Sequence, residues 1–478
     1  MIKSLIHTTE NNNLYIYDDQ SRLSMLIHPE LKKAHEKSTD VNPYYQKKYE
    51  YLKKYGFFSK SSSANFEILS EARVKETLIN TPQVTFEVTD ACNLNCTYCG
   101  YGDLYEVFDT RNRNNINVDY AVKFLKYIFD LKYENKKNKL FISFYGGEPL
   151  LNIDFIKHIV ELANQLKSEK EMDIDYGMTT NGTLLHKYIP FLVDNKFNLN
   201  ISLDGNEKNN SYRVFGKDKK NSFRKIIENV DMIQRDYPDY FMDHINFSAV
   251  IHNRNSVKDI YEFIYSRYHK IPKISELSLV NVKRDKKEIV ENMYNNMRRS
   301  EAEYLKEEAN LLRTPYGDLS IYELSDFLKL LSVNFYISDK NSMLNAEEKY
   351  FPTSTCLPFS RKIFLTNRNK LLPCERINYK YTLGKVEEDI VIDTKKIAQQ
   401  YNFFYDHIKK FCQYCYAYRY CGLCLFHLKN LDDLGTEKFV CDRFYDQKSF
   451  SEKLNRSFSL LEKYPKFFFQ ILENEIAE

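Results

Sequence analysis

A chain of 478 residues, 43% hydrophobic and 28% charged, is long enough for two to four domains and apolar enough to bury a core, which excludes wholesale disorder. Its 69 Lys and Arg against 66 Asp and Glu leave a formal net charge of +3, too small a surplus to give a nucleic-acid partner an electrostatic footprint; the run Lys217–Lys220 reads as a solvated face. The start, MIKSLIHTTENNN, lacks an apolar core with a cleavage site, and no run of about 18 apolar residues occurs, so no membrane contact and a cytoplasmic location are expected.

The first 83 residues contain no cysteine. Asn13–Asp18 and Leu23–His28 predict a short two-stranded segment, and Tyr44–Phe57 an aromatic, lysine-rich helix. This N-terminal extension gives way at residue 84 to an apolar strand, Val84–Thr89, which runs directly into a loop carrying Cys92, Cys96 and Cys99. A cubane iron–sulfur cluster takes four thiolates, so a loop offering three leaves one iron open. The competing reading is a zinc knuckle or three buried thiols. Neither His nor Cys follows Cys99 closely enough to complete a knuckle.

Beyond this loop, strand and helix patterns alternate as in a parallel sheet flanked by helices. Val118–Leu131 places Val118, Ala121, Val122, Leu125, Ile128 and Phe129 on one helical stripe; Phe155, Ile156, Ile159, Val160 and Ala163 mark a second helix. Strands are expected at Leu140–Tyr145, Ile174–Met178, Asn198–Leu203, Ile245–Ile251 and Ile274–Val280. Ligands of such sheets sit at the carboxyl ends of strands. There the chain places Gly146-Gly147-Glu148-Pro149, then Thr180-Asn181-Gly182, then Ser202 with Asp204-Gly205. The glycines let backbone approach a ligand and Pro149 fixes the exit, although each Asn-Gly or Asp-Gly also fits an ordinary turn.

The barrel is expected to end near residue 300, with a charged helical bridge over 301–350. The other seven cysteines follow: Cys356, Cys374, Cys412, Cys415, Cys421, Cys424 and Cys441, five of them as C-x2-C-x5-C-x2-C with a trailing cysteine. Tight pairs and triplets suit metal better than disulfides. Paired C-x2-C motifs also signal structural zinc. Residues 351–445 are read as this cysteine-rich domain and 446–478 as closing helices.

The spacing C-x3-C-x2-C with Tyr98 before the last cysteine resembles the signature of radical S-adenosylmethionine (SAM) enzymes. That resemblance implies an α/β fold with a partial (β/α)6 TIM-like barrel. It also implies a [4Fe–4S] cluster on Cys92, Cys96 and Cys99 whose open iron chelates SAM, and reductive cleavage of SAM to a 5'-deoxyadenosyl radical. Tyr98, Gly146, Gly147, Glu148 and Pro149, then Thr180, Asn181, Ser202 and Asp204, become SAM-binding candidates. Glu148 lies in the segment that binds the SAM amino group, and Arg213 resembles the arginine that pairs with the SAM carboxylate, a geometry suited to a guanidinium fork; a surface salt bridge is its plain alternative.

The C-terminal cysteines resemble the SPASM extension, which carries two auxiliary [4Fe–4S] clusters. Mapped here, Cys412, Cys415, Cys421 and Cys441 form the outer cluster; Cys356, Cys374 and Cys424 form the inner one, one thiolate short of a full set. Two residues separate Cys421 from Cys424 where the family commonly has three. Glu375 falls where related sulfatase-maturing enzymes carry a catalytic base, a role that burial would suit by raising its pKa. The N-terminal extension resembles a winged-helix leader-recognition element, which binds by strand addition; a mere cap on the barrel is the alternative.

The function implied is a peptide maturase, an oxidoreductase cross-linking a ribosomally made precursor peptide that carries a leader, with an electron donor such as flavodoxin or ferredoxin. A sulfatase-maturing enzyme forming formylglycine shares both motif regions. A zinc-stabilised interaction protein without catalysis is the reading from another class.

Overall fold

The computed structural model describes residues 4–19, 21, 23–58, 65–106, 109, 111–297, 299–300, 303–304, 351–418, 421–428 and 430–465. The chain divides into two compact units. One comprises Leu69–Glu307 with Cys356–Gln400; the other comprises Met1–Ile68, Glu308–Thr355 and Tyr401–Glu478. Apart from 303–304, the bridge expected over 301–350 lies outside the described residues, as does the closing stretch beyond 465.

In the second unit, three short strands, β1 (Leu5–Thr8), β2 (Leu14–Asp18) and β3 (Leu23–Leu26), form an antiparallel sheet in that order. Two strands were expected there. The third, β1, has only four residues and too little alternation to stand out. Helices α1 (Pro29–His35) and α2 (Pro43–Lys54) follow, each with proline in its first turn, where the missing N–H costs nothing. Ile16, Ile27, Leu31, Ala34, Tyr49 and Phe58 form the small core beneath them.

The large unit is a ten-stranded sheet. Six parallel strands, β4 (Gln83–Thr89), β5 (Lys139–Gly146), β6 (Asp173–Thr180), β7 (Asn198–Ser202), β8 (Ile245–Ile251) and β9 (Lys273–Glu276), neighbour one another in chain order. Helices α3 (Glu71–Ile79), α4 (Val118–Glu134), α5 (Ile153–Lys170), α6 (Leu185–Asp194), α7 (Phe223–Asp236), α8 (Pro238–His244), α9 (Val257–Tyr268) and α10 (Lys287–Met293) belong to the same unit. This is the partial (β/α)6 barrel that the family resemblance implies, on the parallel sheet expected from the strand–helix alternation.

Four strands that the sequence reading did not anticipate extend it: β10 (Ile363–Leu365), β11 (Lys370–Leu372), β12 (Gly384–Val386) and β13 (Ile390–Val391). β10 pairs parallel to β4, and the other three continue antiparallel. Residues 356–400 therefore belong with the barrel, whereas a boundary at 351 was expected. Helix α11 (Thr394–Cys412) follows. Helix α12 (Gln447–Lys463) packs on the N-terminal sheet: its Glu462 accepts hydrogen bonds from Thr9 Oγ1 and Tyr15 OH at 2.9 Å, and its Phe458 ring lies 4.6 Å from that of Tyr15. The expected 1–83 and 446–478 regions thus share one unit, with residues 69–83 in the other.

Parallel strands covered on both faces usually read as continuous apolar runs. Here they alternate. Val84, Phe86 and Val88 of β4 point outward, where Phe86 meets the rings of Phe144 (6.1 Å) and Phe155 (5.8 Å). Thr85, Glu87 and Thr89 occupy the opposite face, continued by Ser143 and Tyr145 of β5, Gly177 and Thr179 of β6, and Asn198 and Asn200 of β7. At Gly177 a Cβ would lie 2.4 Å from Cζ of Phe141, so glycine there lets Phe141 lie across the inner face. Among the described residues, no helix is long and apolar enough to cross a membrane.

Glu87 is the buried acid of that inner face. Its carboxylate accepts from Tyr379 OH at 3.0 Å and from the Asn367 backbone at 3.1 Å. Burial pushes it up to about 7, against the opposing pull of these hydrogen bonds and of Arg111. Between the ordinary value of 4.5 and about 7 the folded carboxyl holds a proton that the unfolded one has released. Its contribution to stability is complete below 4.5 and is lost as pH rises through 7. Glu87→Gln is expected to melt at the wild-type temperature near pH 5 and above it at pH 8; identical pH profiles for the two proteins would refute this.

Candidate functional site

The cysteine loop leaves β4 at its carboxyl end, and local geometry holds it there. Gly146, at φ +140°, and Gly147 pass directly beneath: a Cβ on Gly147 would sit 2.0 Å from the carbonyl oxygen of Ala91, and one on Gly146 2.3 Å from that of Thr89. Gly147 N–H donates to Thr89 O, and Glu148 N–H to Ala91 O, at 2.8 and 2.9 Å. The two glycines thus lock the GGEP turn onto the base of the loop.

Cys92, Cys96 and Cys99 are half-buried and share one electrostatic neighbourhood. Burial first, then the other two thiols, pushes Cys96 up to about 12, with Arg213 opposing; burial, Glu148 and Cys99 push Cys92 up to about 11. The Leu94 N–H points at Cys92 Sγ at 3.4 Å, and Asn181 Nδ2 lies 3.8 Å from the same sulfur. Such N–H groups stabilise a thiolate. Among the described residues no three His, Cys, Asp or Glu side chains are placed as ligands of one mononuclear ion. A cubane is held by one thiolate per iron, and three thiols in one loop, with amide donors on the Cys92 sulfur, fit that donor set.

Glu148, fully buried, follows the turn. Its carboxylate accepts from Thr180 Oγ1 (2.7 Å), Asn181 N–H (2.7 Å) and Leu150 N–H (3.2 Å). Burial pushes it up to about 7, and among the described residues no cation pairs with it. A buried carboxylate fixed by three donors and lacking a cation complements an ammonium group. Pro149 opens the short 3-10 turn that Glu148 caps. Asn181 also donates to Asn93 Oδ1 at 2.9 Å, tying the end of β6 to the cysteine loop. Ser202 ends β7, half-buried.

Three of the expected SAM-binding residues are partners of one another in the structure. Asp204 accepts from Arg213 Nε (2.9 Å) and Nη2 (3.1 Å), from Val250 N–H (2.9 Å) and from Tyr98 OH, with His252 Nε2 at 3.7 Å. Burial opposes its ionisation, yet the Arg213 charge and the hydrogen bonds hold Asp204 down to about 2. The surface salt bridge weighed for Arg213 is a buried one. Its fork is engaged by Asp204, and Tyr98, inside the cysteine motif, is pinned by the same carboxylate.

Glu375 forms an ion pair with Lys362 at 3.1 Å, on the wall of a cavity of about 230 Å³ along the inner face of the barrel. Tyr145 lines the same cavity; burial, followed by Glu375 and Cys99, raises its phenol well above the ordinary range. In the other unit, Cys412, Cys415, Cys421 and Cys441 form a second thiol neighbourhood. Burial first, then the neighbouring thiols, raises Cys412, and Cys421 reaches about 11. Cys415, Cys421 and Cys441 each receive the N–H of the residue two positions on, the pattern of Leu94 and Cys92. Cys424 lies in that unit, Cys356 and Cys374 in the barrel unit. Sequence reading missed Glu87, Tyr145, Asn200, Asn246 and His252; the alternation of polar and apolar residues along the strands was the available signal for the first four.

Residues 86–264 match the Radical SAM superfamily. The match covers part of the chain, a radical SAM domain that marks the protein as an enzyme, and that family implies SAM and a [4Fe–4S] cluster. Its relatives include a cysteine-type anaerobic sulfatase-maturating enzyme of Clostridium novyi (strain NT), 30% identical over 177 residues, 36% of this chain and 44% of that protein. Another is the radical SAM cyclopropyl synthase TigE of Paramaledivibacter caminithermalis, 25% identical over 170 residues, 34% of each chain. The chain therefore matches less than half the length of these relatives. Among solved structures, native anSMEcpe with bound AdoMet and Cp18Cys peptide superposes with a TM-score of 0.52 at 18% identity, covering 82% of this chain and 99% of that one, which establishes likeness of fold.

Removing the Asp204 charge tests the hub. Asp204→Asn leaves Arg213 buried without its anion, a change that typically costs about 3–5 kcal/mol. A lower melting temperature and less iron retained per chain after anaerobic reconstitution are expected; unchanged iron and melting would show that the hub does not hold the loop.

Proposed function

We propose that this radical SAM enzyme is a peptide maturase that installs a cross-link, thioether or C–C or C–O, in a ribosomally made precursor peptide. Cys92, Cys96 and Cys99 would hold the cluster, which with SAM would supply radical hydrogen-atom abstraction from the substrate. Glu148 receives the SAM ammonium. The glycines of the GGEP turn admit the cofactor to the backbone, while Thr180 and Asn181 keep the Glu148 carboxylate oriented. Asp204, through Tyr98 and Arg213, keeps the cysteine loop in register with the strand ends.

The observation that carries the peptide reading is the small N-terminal sheet, whose outer strand β3 lies at the end of the order β1-β2-β3. Edge strands accept a further strand through backbone hydrogen bonds, a suitable way to hold a leader. The barrel cavity agrees with it. Some relatives are GTP 3',8-cyclases, such as that of Aliarcobacter butzleri. A triphosphate would find a single lysine among the residues lining this cavity, Lys362, already paired with Glu375.

The auxiliary thiols fit the same reading. Cys412, Cys415, Cys421 and Cys441 hold an outer [4Fe–4S] cluster; the assignment of Cys356, Cys374 and Cys424 to an inner one rests on the sequence pattern. An electron donor of the flavodoxin or ferredoxin class serves the clusters. Formylglycine formation in a sulfatase is the second reading, favoured by the similarity to sulfatase-maturating enzymes.

Anaerobic co-expression with the short reading frames flanking the gene, followed by mass spectrometry, tests the function. A peptide that loses two hydrogen atoms per linkage and resists hydrazine supports the cross-link. A hydrazine-reactive aldehyde in a sulfatase peptide supports the second reading, and a protein that releases no 5'-deoxyadenosine on reduction supports neither. With Glu375 as the base, Glu375→Gln is expected to slow product formation by about 10²-fold or more while 5'-deoxyadenosine is still released; full turnover would remove Glu375 from the mechanism.

A further inference from the structure

The inner face of the barrel holds two rows of polar side chains, and they differ in how their hydrogen-bonding groups are used. In the first, Gln83 Nε2 donates to Ser143 Oγ at 2.7 Å, Thr85 and Ser143 share a hydrogen bond at 2.7 Å, and Asn198 engages His244 at 3.1 Å. These groups satisfy one another. The second row crosses the strands obliquely: Tyr145 and Thr179 stand next to last in β5 and β6, Asn200 in the middle of β7 and Asn246 second in β8. Thr179 pairs in register with Asn200, and Asn200 with Asn246, while Tyr145 and Thr179 follow the paired Phe144 and Met178. All four line the cavity of about 230 Å³. Among the described residues, none of their side chains makes a hydrogen bond to another protein group.

The chemistry of this row is specific. Each Asn amide offers one acceptor and two donors, the complement of a peptide unit's N–H and C=O. Parallel strands place the three residues of β6, β7 and β8 about 4.8 Å apart, within reach of successive peptide units of an extended chain. The row carries no charge, so it reads main chain and tolerates varied side chains. Its members Tyr145 and Thr179 lie one residue before the turn Gly146-Gly147-Glu148 and before Thr180-Asn181, the segments to which SAM was assigned above.

We propose that Thr179, Asn200 and Asn246 form a main-chain clamp that binds the segment of peptide to be modified, extended across β6, β7 and β8, with the Tyr145 hydroxyl beside the residue attacked. The inference rests on the peptide-maturase reading and names its substrate class: an extended peptide recognised through its backbone amides, whatever its side chains.

The test measures binding without turnover. A pool of random capped octapeptides is selected anaerobically on immobilised holoenzyme with SAM and no reductant, and individual binders are then measured by fluorescence anisotropy. Asn200→Ala with Asn246→Ala is expected to weaken those binders at least tenfold, provided its melting temperature and iron content match wild type. Asn200→Asp with Asn246→Asp, which keeps the side-chain shape while removing the N–H donors, is expected to do the same. Independently of either variant, methylating one main-chain nitrogen of a binder should cost tenfold or more on the wild type at one or two positions. Absence of any binder, equal affinity for the wild type and both variants, or indifference to N-methylation at every position overturns the clamp. Because no product is formed, these results are distinct from those of co-expression. Binders that need Asn200 and Asn246, combined with peptides of unchanged mass on turnover, would uphold the clamp and overturn the cross-link.

Discussion

One carboxylate organises the mouth of the barrel. Asp204 collects both arms of the Arg213 fork, the Tyr98 hydroxyl and the Val250 amide, linking the cysteine loop to β8 and to the segment after β7. Burying a charge is costly unless its partners repay the lost water, and here the donors come from three separate stretches of chain. The pieces must therefore arrive together. A loop that has to hold three thiols in a fixed arrangement gains its rigidity from this pairing rather than from regular secondary structure, since none of the three cysteines lies in a helix or strand.

The second constraint is the division of the sheet into an apolar outer face and a polar inner one. Outward rings such as Phe86, Phe144 and Phe197 stack from strand to strand and supply the burial on which the barrel's stability rests. That leaves the inner face free to carry hydroxyls, amides and the acid Glu87. Stability and recognition thus use alternate residues of the same strands.

Much of this was legible beforehand, and the gaps have physical causes. The six central strands and the helices α4 and α5 were found because their apolar periodicities are clear, and the cysteine spacings because few alternatives share them. Short strands escaped: β10–β13 have two or three residues, too few for alternation to be recognised, and the four of β1 alternate weakly. Tyr98, Asp204 and Arg213 were all singled out, but as separate ligands, because spacing along the chain does not reveal which polar groups meet. The Asn200 and Asn246 row was passed over because each residue, taken alone, is an ordinary strand position. Only pairing in register sets them side by side.

The junction between β10 and β4 carries a last consequence. Residues 363–365 come from far along the chain, yet they hydrogen-bond directly to the strand that launches the cysteine loop. A protein cut after residue 300 would retain every SAM-binding motif and still present the bare flank of β4 to solvent, an open invitation to edge-to-edge aggregation. The two halves of the sequence are therefore obligate companions in folding, and any evolutionary exchange of the cysteine-rich tail must carry β10 with it or replace it.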